Sequence, residues 1–214
     1  MTGKRYPGYD VLSKFSGVSW NDASRRTIER RLATSRVPRF FDTAQWQTLL
    51  AVCECIVPQP KDRAAVPIAA LLDERLSTGR TDGFRRASMP EQDEAWRRGL
   101  RALEAEAQAA HGQPFHELPR RQQQSLLERM QSGELKGPAW GDMSSKGFFE
   151  HRVVHDLVSA YYSHPTPWSE IGWGGPASPR GYVRMQPDRR DPWEAAEARP
   201  GHESEALKDN VRIR

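Results

Sequence analysis

The chain has little of what usually fixes a function at sight. Only Cys53 and Cys55 are cysteines among 214 residues, which excludes a disulfide-built scaffold. No apolar run approaches the ~18 residues of a membrane-spanning helix, and the N-terminal residues hold no apolar signal core. Hydrophobic residues make up 37% and mean hydropathy is -0.78, low for a compact domain. That predicts a modest core with polar ends, or a surface completed by a partner. Catalytic signatures are missing as well. The segment EHRVVHD around His151 and His155 is not HExxH, and GPASPRG around Ser178 is not the nucleophile elbow GxSxG. Gly172, Gly174 and Gly175 do not follow a strand, as a dinucleotide fingerprint requires. No convincing strand pair and no internal repeat is present.

Charge is plentiful but mixed. Lys and Arg number 32 against 28 Asp and Glu, for a formal charge of +4. A nucleic-acid binder concentrates basic residues on one face. Here only Arg25, Arg26, Arg30, Arg31, Arg36 and Arg39 cluster, which reads as a solvated helix face. Neither nucleic acid nor direct membrane insertion is expected.

Periodicity predicts an all-α fold, an irregular bundle of about six helices. The first runs over about 21–33, capped by Asn21 or Asp22, with the thin apolar stripe Trp20, Ala23, Ile28 and Leu32. The second opens on a capping box, Asp42 and Gln45. It carries Trp46, Leu49, Leu50, Val52, Cys53, Ile56 and Val57 in one arc, and ends at Pro58. Cys55 falls opposite Cys53, beside Thr48 and Ala51, so an intrachain disulfide is not expected. The third opens at Pro67 and is capped by Gly79. The fourth, about 91–110, has the seam Trp96, Leu100, Leu103, Ala107 and Ala110. The fifth covers about 120–132. The sixth, about 145–163, is the most apolar. Phe149, Val153, Val154, Leu157, Val158, Ala160 and Tyr161 cover half its circumference, with Arg152, Asp156, Ser159 and Ser163 on the opposite stripe. This organisation gives an N-terminal arm and short helix over 1–36, a helical domain over 37–193, and a disordered charged tail over 194–214.

The sixth helix runs into YYSHPTPWSEIGWGGPASPRGY, residues 161–182. Its prolines and glycines forbid regular structure, yet disordered linkers are aromatic-poor. An ordered long loop, Gly/Pro-rich and aromatic, is expected. Trp168, Trp173, Arg180, Tyr182 and Arg184 are residue types that anchor interfaces. Alternatively each indole packs inward as a lid.

The order Tyr161-Tyr162, Pro165, Trp168, Ile171-Gly172-Trp173, Gly175-Pro176-Ala177 and Pro179-Arg180-Gly181-Tyr182 resembles the C-terminal signature of the gluconate 2-dehydrogenase subunit 3 family. Phe40-Phe41 ahead of a helix ending Cys53-Glu54-Cys55-Ile56-Val57-Pro58, and His111-Gly112 with Phe115, are similar to it too. The likeness spans roughly residues 38–193. It implies a non-catalytic small subunit that binds and stabilises or matures the large subunit of an FAD-dependent, GMC-type sugar or alcohol dehydrogenase. FAD would then sit in the partner, with no cofactor in this chain. Many relatives begin with a twin-arginine export signal. Here Arg25-Arg26 is followed by Thr27-Ile28-Glu29-Arg30-Arg31, too charged for an h-region. The chain is expected in the cytoplasm as synthesised, and in the periplasm only if co-exported with a signal-bearing partner.

The competing reading is a stand-alone metal-dependent helical enzyme. His151 and His155 stand one helical turn apart, a spacing that can hold a metal. Glu150 beside them is a candidate acid.

Overall fold

The computed structural model describes residues 4–83, 86–178, 181 and 190–213. They are all-α, with no strand among the described residues. The helices are α1 (Asp22–Leu32), α2 (Thr43–Ile56), α3 (Ile68–Ser77), α4 (Gln92–His111), α5 (Arg120–Ser132), α6 (Ser145–Phe148), α7 (His155–Ser163), α8 (Pro165–Ile171) and α9 (Glu203–Asn210). The predicted sixth helix is therefore α6 and α7 joined by a π-helical segment, Phe149–Val154. The chain forms two compact units, residues 34–161 and residues 1–33 with 162–214.

Unit 34–161 holds the larger core. Asp42 caps α2, accepting from Gln45 N, and Gln45 Oε1 in turn accepts from Asp42 N, so the capping box is present. Gly112 and Gly133 close α4 and α5 in the left-handed conformation. The α4 seam is buried over Trp96, Leu100, Leu103 and Ala107, each at most 1% exposed, while Ala110, placed in the same seam at the helix's end, is exposed. Helix α2 departs from the one-arc reading. Thr48 and Ala51, assigned to its outer face, are buried, while Leu50 is 37% exposed. Packing against α3, α4 and α5 covers α2 on several sides, and Thr48 Oγ1 donates to Glu104 Oε2 at 3.3 Å.

The sharpest close approach is at Gly99. A Cβ there would lie 2.2 Å from Phe148 Cζ. Phe148 is fully buried and flanked by the Trp96 and Trp140 rings at 5.4 and 6.0 Å. Glycine in mid-helix weakens α4, and here it makes room for an aromatic ring.

The other unit joins both chain ends. Tyr9, Val11, Trp20, Ile28, Trp168 and Ile213 form its core. Residues expected to be an irregular arm make a 3-10 turn, Val11–Lys14, capped by Asp10. Residues 203–210, placed in a disordered tail, form α9. Asn210 holds that tail: its Nδ2 donates to the Pro7 and Ala196 carbonyls, both at 2.9 Å, and its Oδ1 accepts from Ala196 N at 2.7 Å. Such a polar clamp leaves no trace in hydrophobic content.

Two outcomes check this packing. Gly99→Ala is expected to lower stability by about 1–3 kcal/mol, because overpacking against an immobile ring outweighs the helix-propensity gain; a raised melting temperature would contradict it. Cys53 is buried and Cys55 half-buried, and burial pushes both thiols above their ordinary pKa, with Arg120 opposing the shift at Cys55. Thiol labelling of the folded chain should modify Cys55 before Cys53.

Candidate functional site

Two constellations bring chemistry-bearing residues together, one in each unit. The first is a polar cluster around Asp156, fully buried at the start of α7. Asp156 Oδ2 accepts from Trp96 Nε1 at 2.7 Å and Gln92 Nε2 at 2.9 Å. Oδ1 accepts from Arg75 Nη2 at 3.2 Å and lies 2.9 Å from His155 Nδ1. Arg152 Nη1 stands 3.5 Å from the same oxygen and 2.9 Å from Asp82 Oδ2. Arg75 also reaches Asp82 Oδ1, at 3.2 Å.

This overturns the solvent-facing assignment of Arg152 and Asp156. That assignment assumes uniform α-helical rotation, but the π-helical segment lies between Phe149 and His155. Extra residues per turn rotate the part of the helix beyond them, so Arg152 and Val153, neighbours in sequence, are both buried. Asp82 and Arg75, which complete the cluster, lie on a loop and another helix, beyond reach of local pattern.

Asp82, His155 and Asp156 place ligand-capable atoms within 4.8 Å of one another. The histidine pair proposed from sequence does not assemble with them. His151 is outside this set, and its imidazole is held below the ordinary pKa by burial first and then by the nearby Arg86. Glu150 is exposed and faces Lys146 at 3.8 Å. Two guanidinium groups already balance the two carboxylates, and Asp156 has its lone pairs occupied. A divalent cation would have to displace those donors. The cluster's evident work is to tie α3, α4 and α7 together.

The second constellation is an aromatic step in the other unit. Pro165 and Pro167 open α8 rather than forbidding it, because first-turn positions need no backbone donor. His164 caps the helix through Thr166 N. This corrects the expectation of an irregular loop. Trp168 is 2% exposed, with its Nε1 donating to Tyr162 O at 2.6 Å. Trp173 is 40% exposed and meets Trp168 edge-on, centroids 4.6 Å apart at 87°. Gly172 makes the step possible. Its φ is 71°, and a Cβ would lie 2.5 Å from Tyr6 Cζ.

The backbone beyond the step is pinned. Tyr9 Oη donates to Trp173 O at 3.3 Å. The fully buried Lys14 donates to Gly174 O at 3.4 Å and Trp193 O at 2.6 Å. Neither Lys14 nor Tyr9 stands out in the sequence, since an isolated lysine in an arm carries no pattern. Trp173 borders a cleft of ≈ 1020 Å³, with Tyr6 and Trp193 among its walls. Arg180, Tyr182 and Arg184 lie outside the described residues. Of the expected anchors, the structure brings Trp168 and Trp173 together, one inward and one half outward. The arginine cluster is used locally: Arg25 donates to the Phe15 and Gly17 carbonyls and pairs with Asp22, and Arg31 donates to Ser163 O.

The chain is all-α, and the helix opened by Pro165 carries its indoles directly after α7. The chain belongs to the gluconate 2-dehydrogenase subunit 3 family, which matches residues 43–175. The match begins at α2 and ends just past Trp173, narrower than the span of 38–193 expected from the motifs. No curated protein and no solved structure matches the chain. The family is that of a dehydrogenase subunit, and no helix among the described residues is long and apolar enough to cross a membrane.

The Asp156 cluster can be tested directly. Asp156→Ala leaves buried guanidinium charge short of a counter-ion and should cost about 3–5 kcal/mol. His155→Ala, at a half-exposed ring, should cost less than about 1 kcal/mol. Chemical denaturation of both variants checks the contrast, and equal losses would refute the assignment of Asp156 as hub.

Proposed function

We propose that the chain is a non-catalytic small subunit that binds the large subunit of an FAD-dependent, GMC-type sugar or alcohol dehydrogenase and stabilises or matures it. The flavin belongs to the partner. The complex assembles in the cytoplasm and leaves it only with a signal-bearing partner. Membership of a dehydrogenase-subunit family supports the reading. The observation that carries it is the half-exposed Trp173, set edge-on against a buried Trp168 at the mouth of a cleft. An indole held by a pinned backbone loses little freedom on docking, and tryptophan is among the residues that dominate interface energies. Trp168 supports the step from within the core of its unit, and by residue type Arg180, Tyr182 and Arg184 are assigned to the partner contact as well.

A metal-dependent enzyme using His151 and His155 is the second reading. The proximity of His155 to Asp82 and Asp156 favours it, and the guanidinium groups of Arg75 and Arg152 oppose it. Metal content of the purified chain separates the two: stoichiometric zinc or iron lost in His151→Ala favours the enzyme.

Copurification from the native host, followed by an absorbance spectrum, tests the subunit reading. A flavoprotein should accompany the chain, and the isolated chain should be colourless and inactive. Trp173→Ala should weaken the complex about thirtyfold, a hot-spot loss of about 2 kcal/mol, with the melting temperature little changed. Trp168→Ala should instead destabilise the subunit by about 3–5 kcal/mol, as truncation of a buried aromatic does. A Trp173→Ala subunit that melts early yet binds normally would defeat the interface assignment.

A further inference from the structure

Helix α2 leaves one edge open. Trp46 and Leu50 stand one turn apart along it, Val57 follows just past its end, and none is fully buried. Across from this edge run the segment 58–67 and the start of α3. Between them lies a groove of ≈ 830 Å³, floored by the buried Cys53, Val66 and Ile68 and open along one side.

The rim is mainly cationic. Arg36, Lys61, Arg63 and Arg120 border the groove, against the single acid Glu54. Arg36 donates to Ala65 O at 3.3 Å, and Arg120 donates to the Glu54 carbonyl oxygen. Arg63 donates to Tyr161 Oη at 2.9 Å. These acceptors are neutral oxygens, and Arg36, Lys61 and Arg120 make no ion pair among the described residues. An occupant must therefore offer apolar groups to the floor and carboxylates to the rim. A lipid chain would leave its methylenes in water along the open side. A polypeptide segment turns that side toward its own protein. Pro58, Pro60 and Pro67 stiffen the far wall, which limits the ordering lost on docking.

We infer that this groove receives an acidic, apolar segment of a partner polypeptide. That the partner is the dehydrogenase large subunit rests on the proposed function; the chemistry of the occupant does not. The test replaces Leu50 with a photo-crosslinking phenylalanine analogue in the full chain, copurified with its flavoprotein. A crosslink to a segment rich in Glu, Asp and aliphatic residues is the expected result. The double variant Arg36→Glu with Lys61→Glu should weaken the complex about tenfold at low salt, and less at high salt. An intact complex with neither crosslink nor charge effect overturns the groove assignment and leaves the subunit reading standing.

If no flavoprotein copurifies, the subunit reading falls. The groove is then probed with a fluorescein-labelled peptide of alternating Glu and Leu pairs, its lysine counterpart, and vesicles containing phosphatidylglycerol. Salt-sensitive binding of the acidic peptide alone, lost in the double variant, upholds the inference. Binding of vesicles instead, or of both peptides alike, overturns it.

Discussion

A carboxylate sealed from water cannot stay charged without donors, and Asp156 has no exposure at all. Much of the 34–161 unit is shaped by that demand. Arg75 comes from α3, Gln92 and Trp96 from α4, and Arg152 from the π-helical segment. Each donor fixes the rotation of its element about its axis, because a helix turned by one residue would aim its donor elsewhere. Hydrophobic burial is non-directional and would tolerate several rotations of the same helices. The polar hub selects among them, and Phe148 seated on Gly99 fixes the spacing of α4 and α6 in the same way.

The second unit is specified differently. Its apolar core is small, and much of its order comes from side chains gripping distant backbone: Lys14 on Trp193 O, Asn210 on Pro7 O, Ser13 on Ile213 O. The family match stops at residue 175, so α8 and the indole step lie inside it while α1, the arm and α9 lie outside. The indole step within the family match is thus supported here by chain that the family pattern does not describe.

This contrast explains how far the sequence is legible. Capping boxes, glycine stops and the α4 seam are local signals, and the helices they mark are present. The proline-bearing segment after α7 misleads because Pro165 and Pro167 read as breakers, although their position at a helix start makes them compatible with one. The polar face of α7 misleads because a π-helical segment resets the angular register without marking itself in composition. The Trp168–Trp173 pair is legible as residue types, but which indole faces inward depends on Gly172 and Tyr6, far apart in sequence. Asp82, Lys14 and Asn210 are invisible in the sequence because each acts through long-range contacts.

The joining of both chain ends in one unit has a consequence for biosynthesis. Residues 34–161 are contiguous and can close their core as soon as they emerge. Residues 4–33 emerge first, yet their packing partners begin only after about 130 further residues. At typical synthesis rates of ~5–20 residues per second, the arm waits roughly 6–26 s without its companions. The unit bearing the indole step thus cannot close until residues beyond the bundle's own stretch have emerged, whereas residues 34–161 need nothing outside themselves.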